Sequence, residues 1–434
     1  MATVEHHAPN SVIVRPAGLP EDLSAPWIVG KLRRTWSIAA GVLIALAAIG
    51  FVLALNSSDP VAKLAFVRAY LVGFMWCLGA SLGCLALLMV QHVTGGKWGL
   101  VMRRLFEAGS RNLWFIALLF IPVALSVKTL YGWSTPEGLT FHGKHATEVR
   151  AHYLKIEFWI GRAIFYFVSW GALAWVLNRW SLLQDQKFES FDAYDRLRLR
   201  FMRLSGGGLL FYAITISLAA IDWVMSLDAV WSSTIYGMIY MAGQALTAMS
   251  FCIIVLVALA KYEPFRSMLR KTELHDNGKL LLAFVMLYTY LSFSQFIIIW
   301  SANLTEEIPW YLARVRNGWR PVIVTIFLIH FVVPFLLLLN RNLKKQGPQI
   351  AKVALLLLFA RVLELYWQIV PNFKDAAWPD GSLMNGFHWT DIVVPLAMFA
   401  AWIALFMWEF AKRPILPAYH RLVPEILEKS HGAH

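Results

Sequence analysis

From Trp36 to Phe410 the chain is written in long apolar runs separated by short polar stretches. Ten runs are long enough to cross a bilayer as helices: Trp36 to Leu55, Leu64 to Val90, Leu113 to Leu130, Glu157 to Asn178, Gly207 to Ser226, Tyr236 to Ala260, Lys279 to Asn303, Pro321 to Asn340, Ile350 to Val370 and Trp389 to Phe410. A spanning helix needs roughly 20 mostly apolar residues, because it rises about 1.5 Å per residue through a hydrocarbon core about 30 Å thick. The pattern predicts an all-α integral membrane protein of about ten transmembrane helices. Spans 2 to 5 and 6 to 9 read as two four-helix bundles, flanked by spans 1 and 10. Residues 1–34 read as an N-terminal segment, 35–411 as the membrane domain and 412–434 as a C-terminal tail. The longest loops, Tyr131 to Ile156 and Arg179 to Gly206, are too short to bury a core of their own.

Within the spans, polar residues recur at helical spacing. Span 5 carries Tyr212, Thr215, Asp222 and Ser226 on one face, and span 6 carries Tyr236, Tyr240, Gln244 and Thr247. Span 7 offers Tyr288, Ser292 and Gln295, and span 9 offers Arg361, Glu364 and Gln368. Such stripes are expected to face one another rather than lipid. Ionisable groups at membrane depth are costly and mark ion or substrate pathways, the alternative being that they act as glue or struts between helices. Asp222, His330, Arg361, Glu364 and Asp391, with Tyr288, Tyr212 and Thr215, are therefore candidates for a proton pathway. Histidine and carboxylate side chains can change charge without large motion, and Arg361 can pair with Glu364 three residues on. Toward the outer side, Arg68 and Lys128 read as snorkelling side chains, and Arg162 as a buried partner of Glu157 or of a lipid head group. In span 2, Gly79 and Gly83 form a GxxxG motif, read as close helix packing. Glu306, Glu307, Trp310 and Tyr311, between spans 7 and 8, read as exposed loop residues that contact a neighbouring subunit or a proton exit.

Composition agrees: 59% of the residues are hydrophobic, 15% are charged, and mean hydropathy is +0.57, which excludes a soluble globular chain. The net charge of +13 looks at first like a nucleic-acid surface. Its distribution says otherwise, since 27 of the 39 Lys and Arg fall on the side of the termini and 8 on the other. By the positive-inside rule both termini are expected in the cytoplasm, in an inner membrane. The first 30 residues show no apolar run with a cleavage site, so no cleaved signal peptide is expected.

The cofactor inventory is short. Cys77, Cys84 and Cys252 all sit in spans without a CxxC pair, which disfavours iron-sulfur ligation and a disulfide framework. His330 is the only histidine near mid-membrane, so a haem held between two histidines is not expected. Thr94-Gly95-Gly96-Lys97 lacks the spacing of a phosphate-binding loop. No metal site is expected either.

Several segments, in order along most of the chain, carry a resemblance. They are Gln91 to Gly99, His152 to Trp170, Ser226-Leu227-Asp228 with Ser232 to Gly237, Asn303 to Leu312, and Phe387-His388-Trp389-Thr390-Asp391. Together they resemble the ActF family of alternative complex III membrane proteins, which is related to the membrane subunits of polysulfide-reductase (NrfD-like) type. The resemblance implies ten spans in two four-helix bundles, in a bacterial inner-membrane quinol:electron-acceptor oxidoreductase. It implies no redox cofactor in this chain, and partners that carry haem c and iron-sulfur clusters: a periplasmic multihaem cytochrome c, an iron-sulfur protein and a homologous membrane subunit. It also implies a proton-path role, with a quinone role left open and no residue assigned to it. Two other classes compete. A secondary transporter would also bury carboxylates but commonly breaks its helices at matching midplane positions, whereas Pro122, Pro334 and Pro395 are isolated here. A cofactor-free scaffold would carry polar stripes that tolerate mutation.

Overall fold

The structure, a computed structural model, describes residues 15, 19, 22–57, 60–135, 153–186, 190–228, 231–263, 265–373, 383–417, 419–420 and 422–424. Ten helices among them are long and apolar enough to cross a membrane: α1 (Trp27–Asn56), α2 (Ala62–Thr94), α3 (Arg103–Leu125), α4 (Ile156–Leu183), α5 (Phe191–Leu227), α6 (Tyr236–Leu259), α7 (Lys271–Ala302), α8 (Arg320–Leu339), α9 (Gly347–Asn372) and α10 (Thr390–Ala411). No strand occurs among the described residues. The chain is a multi-pass, all-α membrane protein. In hydrocarbon a backbone must satisfy its own hydrogen bonds, and uninterrupted helices do this within each segment.

α2, α3, α4 and α5 each pack on the next and close a ring, and α6, α7, α8 and α9 do the same. These are the two expected four-helix bundles. They join along a seam where α2 meets α6 and α9 and where α5 meets α6. α10 lies against α2 and α3, and α1 lies outermost against α10. α2 is buried along its whole apolar length, whereas α1 exposes Ile38, Val42, Ile49 and Phe51, as a helix bathed in lipid must. The third and fourth helices of each bundle carry a base and an acid in the same order: Arg162 and Asp222 on α4 and α5, His330 and Glu364 on α8 and α9.

The seam owes its closeness to small residues on α2. A Cβ at Gly83 would run into the carbonyl of Gln244 on α6, and one at Gly79 would touch the Gln244 and Thr247 side chains. Gly73 on the same helix accepts Pro395 and Met398 of α10. The GxxxG motif is thus a packing surface, and Trp76 stacks on Phe399 of α10 at 3.8 Å beside it.

Two boundaries differ from the sequence reading. α3 begins at Arg103 rather than Leu113, because Arg103, Arg104, Glu107 and Arg111 are folded into the protein and paired there. α5 begins at Phe191, so much of the expected inner loop is helix. The two ends of the chain also meet: the Ile415 N–H donates to the Leu23 carbonyl at 2.9 Å, and Leu19, Leu23, Leu100, Leu416 and Val423 form a small separate core. This contact marks the terminal face of the protein.

If the Gly83 contact sets the seam, Gly83→Leu should lower stability by about 1–3 kcal/mol, since overpacking forces the helices apart. Gly171→Ala on α4, where a Cβ meets nothing within 4 Å, should leave stability unchanged or slightly raised. Thermal denaturation of the two variants in the same detergent compares them.

Candidate functional site

The site begins at an irregularity in α8. Pro334 has no N–H to give the carbonyl of residue 330, and the helix widens into a π-helical turn over Phe327–Val332. His330 lies in that turn, buried, with its ring 4.3 Å from the Tyr288 ring of α7. Its Nε2 stands 3.4 Å from Oε2 of Glu364, yet neither ring nitrogen has an aligned hydrogen-bond partner. Glu364 is buried on α9 between Arg361, whose Nη1 donates to Oε2, and Gln368, whose Nε2 donates to Oε1 at 2.8 Å. The Arg361 guanidinium lies flat against Gly243 of α6, where any side chain would displace it, and 5.1 Å from the Tyr288 ring.

Further unpartnered polar atoms lie buried in this bundle: Arg361 Nε, Gln368 Oε1, Ser292 Oγ and Gln244 Nε2. Buried polar groups are nearly always satisfied, by protein or by ordered water, so a cluster of such atoms marks a wet interior. Toward the face opposite the termini the chain of polar groups continues to Arg314. This guanidinium is buried and donates to the carbonyls of Trp310 and Gln368 at 2.9 and 2.7 Å and to Asn372 Oδ1 at 2.8 Å. It lies 3.6 Å from the Trp310 ring, which stacks on Trp231 at 4.3 Å. Burial pushes Arg314 down to about 10, which leaves it cationic at neutral pH.

The sequence candidates thus divide. His330, Glu364, Arg361 and Tyr288 come together in the α6–α9 bundle. Asp222 lies apart, in the α2–α5 bundle. Arg162 grips it at 2.9 and 2.7 Å, Tyr166 donates to it at 2.9 Å, and both Trp159 and Ser226 donate to its backbone carbonyl. The partner of Arg162 is therefore Asp222, and Glu157, expected in that role, is exposed. Tyr212 donates to Gln244 Oε1 at 2.6 Å, and Thr215 accepts from the Trp170 indole at 2.9 Å, so both tie helices together. Asp391 accepts from Arg68 at 3.2 and 2.7 Å, from Tyr366 at 3.2 Å and from the His388 backbone N–H at 3.0 Å. Arg68 is consequently buried and paired rather than snorkelling, a correction that follows from Asp391 sitting across from it on α10. Lys128 is exposed, as snorkelling requires. The polar stripes of α5, α6, α7 and α9 do face inward. Of the loop residues, Glu306 is exposed and Glu307 half-buried, but Trp310 is buried and Tyr311 half-buried, because Arg314 and Trp231 draw the aromatic pair inside.

One cluster escaped the sequence reading. At the terminal end of the α2–α5 bundle, buried Glu107 accepts from Arg103 at 3.0 Å, Arg104 at 2.7 Å and Ser181 at 2.6 Å. Arg104 reaches on to Asp185, and Arg111 bridges Glu409 and Asn178. The spacing of Arg103, Glu107 and Arg111 by four was the available signal. Beside this cluster His420 of the C-terminal segment is held near about 3 by burial and by the charges of Arg103 and Arg198.

Comparison with known proteins finds no family model that matches the chain and no curated protein whose sequence matches it.

Two outcomes are expected. Arg162→Leu leaves Asp222 as an uncompensated buried charge and should cost about 3 kcal/mol, with Arg162→Leu combined with Asp222→Leu recovering most of it; thermal midpoints in detergent decide this. His420 is neutral when docked and has an ordinary value near 6.5 when released. The released segment therefore binds more protons between about pH 3 and 6.5, so docking is complete above that window and weakens as pH falls through it. His420 keeps part of its surface in solvent, so limited proteolysis of the C-terminal segment should quicken severalfold from pH 7 to pH 5, at most about tenfold per unit, and His420→Gln should flatten the dependence.

Proposed function

We propose that this chain is a proton-conducting membrane subunit of a respiratory quinol:electron-acceptor oxidoreductase of the alternative complex III kind, with His330 and Glu364 as its relay and Arg361 as the gate. The observation that carries the proton role is a buried histidine and glutamate 3.4 Å apart, set in a widened helical turn and surrounded by unpartnered polar atoms. The respiratory setting rests on the sequence resemblance, and the positive-inside asymmetry supports termini in the cytoplasm of a bacterial inner membrane. In this reading the chain holds no redox cofactor of its own. Haem c and iron-sulfur clusters belong to partner subunits, a homologous membrane subunit lies beside it, and quinol oxidation takes place in the complex.

The geometry suits a gated relay. A small rotation of the imidazole within the π-turn aligns Nε2 with the carboxylate, and a proton passes between two groups that both exchange protons readily. Arg361, pinned on Gly243, holds the carboxylate in place and keeps its own proton, so it gates the relay rather than carrying the proton. Gln368 and ordered water lead outward to Arg314, whose fixed positive charge at the exit discourages return of a cation. Asp222, fully paired with Arg162, braces the neighbouring bundle.

The test uses the assembled complex in liposomes. Glu364→Gln and His330→Ala are expected to keep assembly and to lower proton release per quinol oxidised by at least about tenfold, the scale of a lost acid–base group. Asp222→Asn is expected to affect assembly more than release. Wild-type turnover with wild-type proton yield in Glu364→Gln would overturn the relay.

A further inference from the structure

On the side of the molecule away from the relay lies a cavity of about 680 Å³ between α1, α2, α6, α9 and α10. Its walls are almost wholly apolar. Along α10 they run from Asp391 to Met407, about 24 Å of helix, most of a hydrocarbon core about 30 Å thick. The groove is therefore long and narrow, shaped for an extended chain. Its two ends differ in charge. At the far end the only charged lining group among the described residues is Asp391, whose carboxylate Arg68 already holds. At the terminal face lie three lysines. Lys352 stands one turn before Leu355 on the lining stripe of α9, and Lys261 one turn after Ala258 at the end of α6. Lys31 stands one turn after Trp27 on α1, whose ring packs edge-on against Tyr262, the residue that follows Lys261. All three lysines are exposed.

We propose that this groove binds one anionic phospholipid of the leaflet at the terminal face, one of its two acyl chains lying between α1, α6, α9 and α10 and its phosphate among Lys31, Lys261 and Lys352. Charge complementarity chooses the occupant. A neutral chain would gain nothing from three cations gathered at one mouth, whereas each lysine near the surface attracts an anionic head group by an amount that multiplies affinity about fivefold. The lipid also completes the packing of α1, which otherwise meets the bundles mainly through α10. The site is independent of the proposed relay, which lies on the other face of α9.

Purified protein is delipidated in detergent, exchanged into nanodiscs containing equal phosphatidylglycerol and phosphatidylcholine, re-extracted, and its retained lipid measured by mass spectrometry. About one phosphatidylglycerol per chain is expected, enriched at least fivefold over phosphatidylcholine. A variant carrying Lys31→Gln, Lys261→Gln and Lys352→Gln should lose that enrichment with its thermal midpoint in phosphatidylcholine unchanged. Ala258→Trp, at an exposed position on the groove wall, should displace the lipid by filling its place while the lysines remain. Equal retention of the two lipids, enrichment that survives loss of the lysines, or recovery of a prenylated quinone instead of phospholipid would overturn the proposal.

Discussion

A backbone approach of the two bundles, Gly83 of α2 against the backbone of Gln244 on α6, is the contact on which the rest of the molecule depends. It places three things at once. The Gln244 side chain takes the Tyr212 hydroxyl from α5, so the seam is tied through a third helix. Gly243, the preceding residue, turns its bare Cα toward α9 and seats Arg361. Arg361 in turn fixes Glu364. A wider spacing between α2 and α6 would leave the guanidinium without a floor and the carboxylate without a fixed position. Helices in lipid gain little from apolar burial against one another, so small residues that admit backbone contact decide where they meet.

Buried charge is distributed by the same economy. Glu107, Asp222 and Asp391 each accept from an arginine and from at least one further donor, and each joins two or more helices. Such groups are costly to strip of a partner and inexpensive to keep satisfied. The cluster around Glu364 differs from that around Asp222 because several of its polar atoms have no protein partner. Full satisfaction makes a brace, and partial satisfaction leaves room for water and for rearrangement. That contrast separates Glu364 from Asp222, which composition and depth had made look alike.

Much of this was legible in the chain. Ten apolar runs marked out the helices, and the helical spacing of Tyr288, Arg361, Glu364 and Gln368 pointed inward from the pattern alone. What could not be read were pairings across the fold. Arg68 and Asp391 are separated by 323 positions, and nothing local tells a snorkelling arginine from one that faces an acid on a distant helix. Arg103, Arg104 and Glu107 looked like a solvated loop because hydropathy registers charge and not its neutralisation. Trp310 looked like a surface aromatic because the buried cation that draws it in, Arg314, was counted only as a loop charge.

The matched order of base and acid in the two bundles has an evolutionary reading. If the halves descend from one duplicated four-helix ancestor, Asp222 with Arg162 and Glu364 with His330 are two fates of one constellation. Arginine at the third helix gives a counter-ion that never releases its proton, and the pair becomes permanent masonry. Histidine at the same helix gives one that does. A single exchange of base, together with the helical irregularity that Pro334 brings, suffices to divide a symmetric molecule into a half that bears load and a half free to specialise.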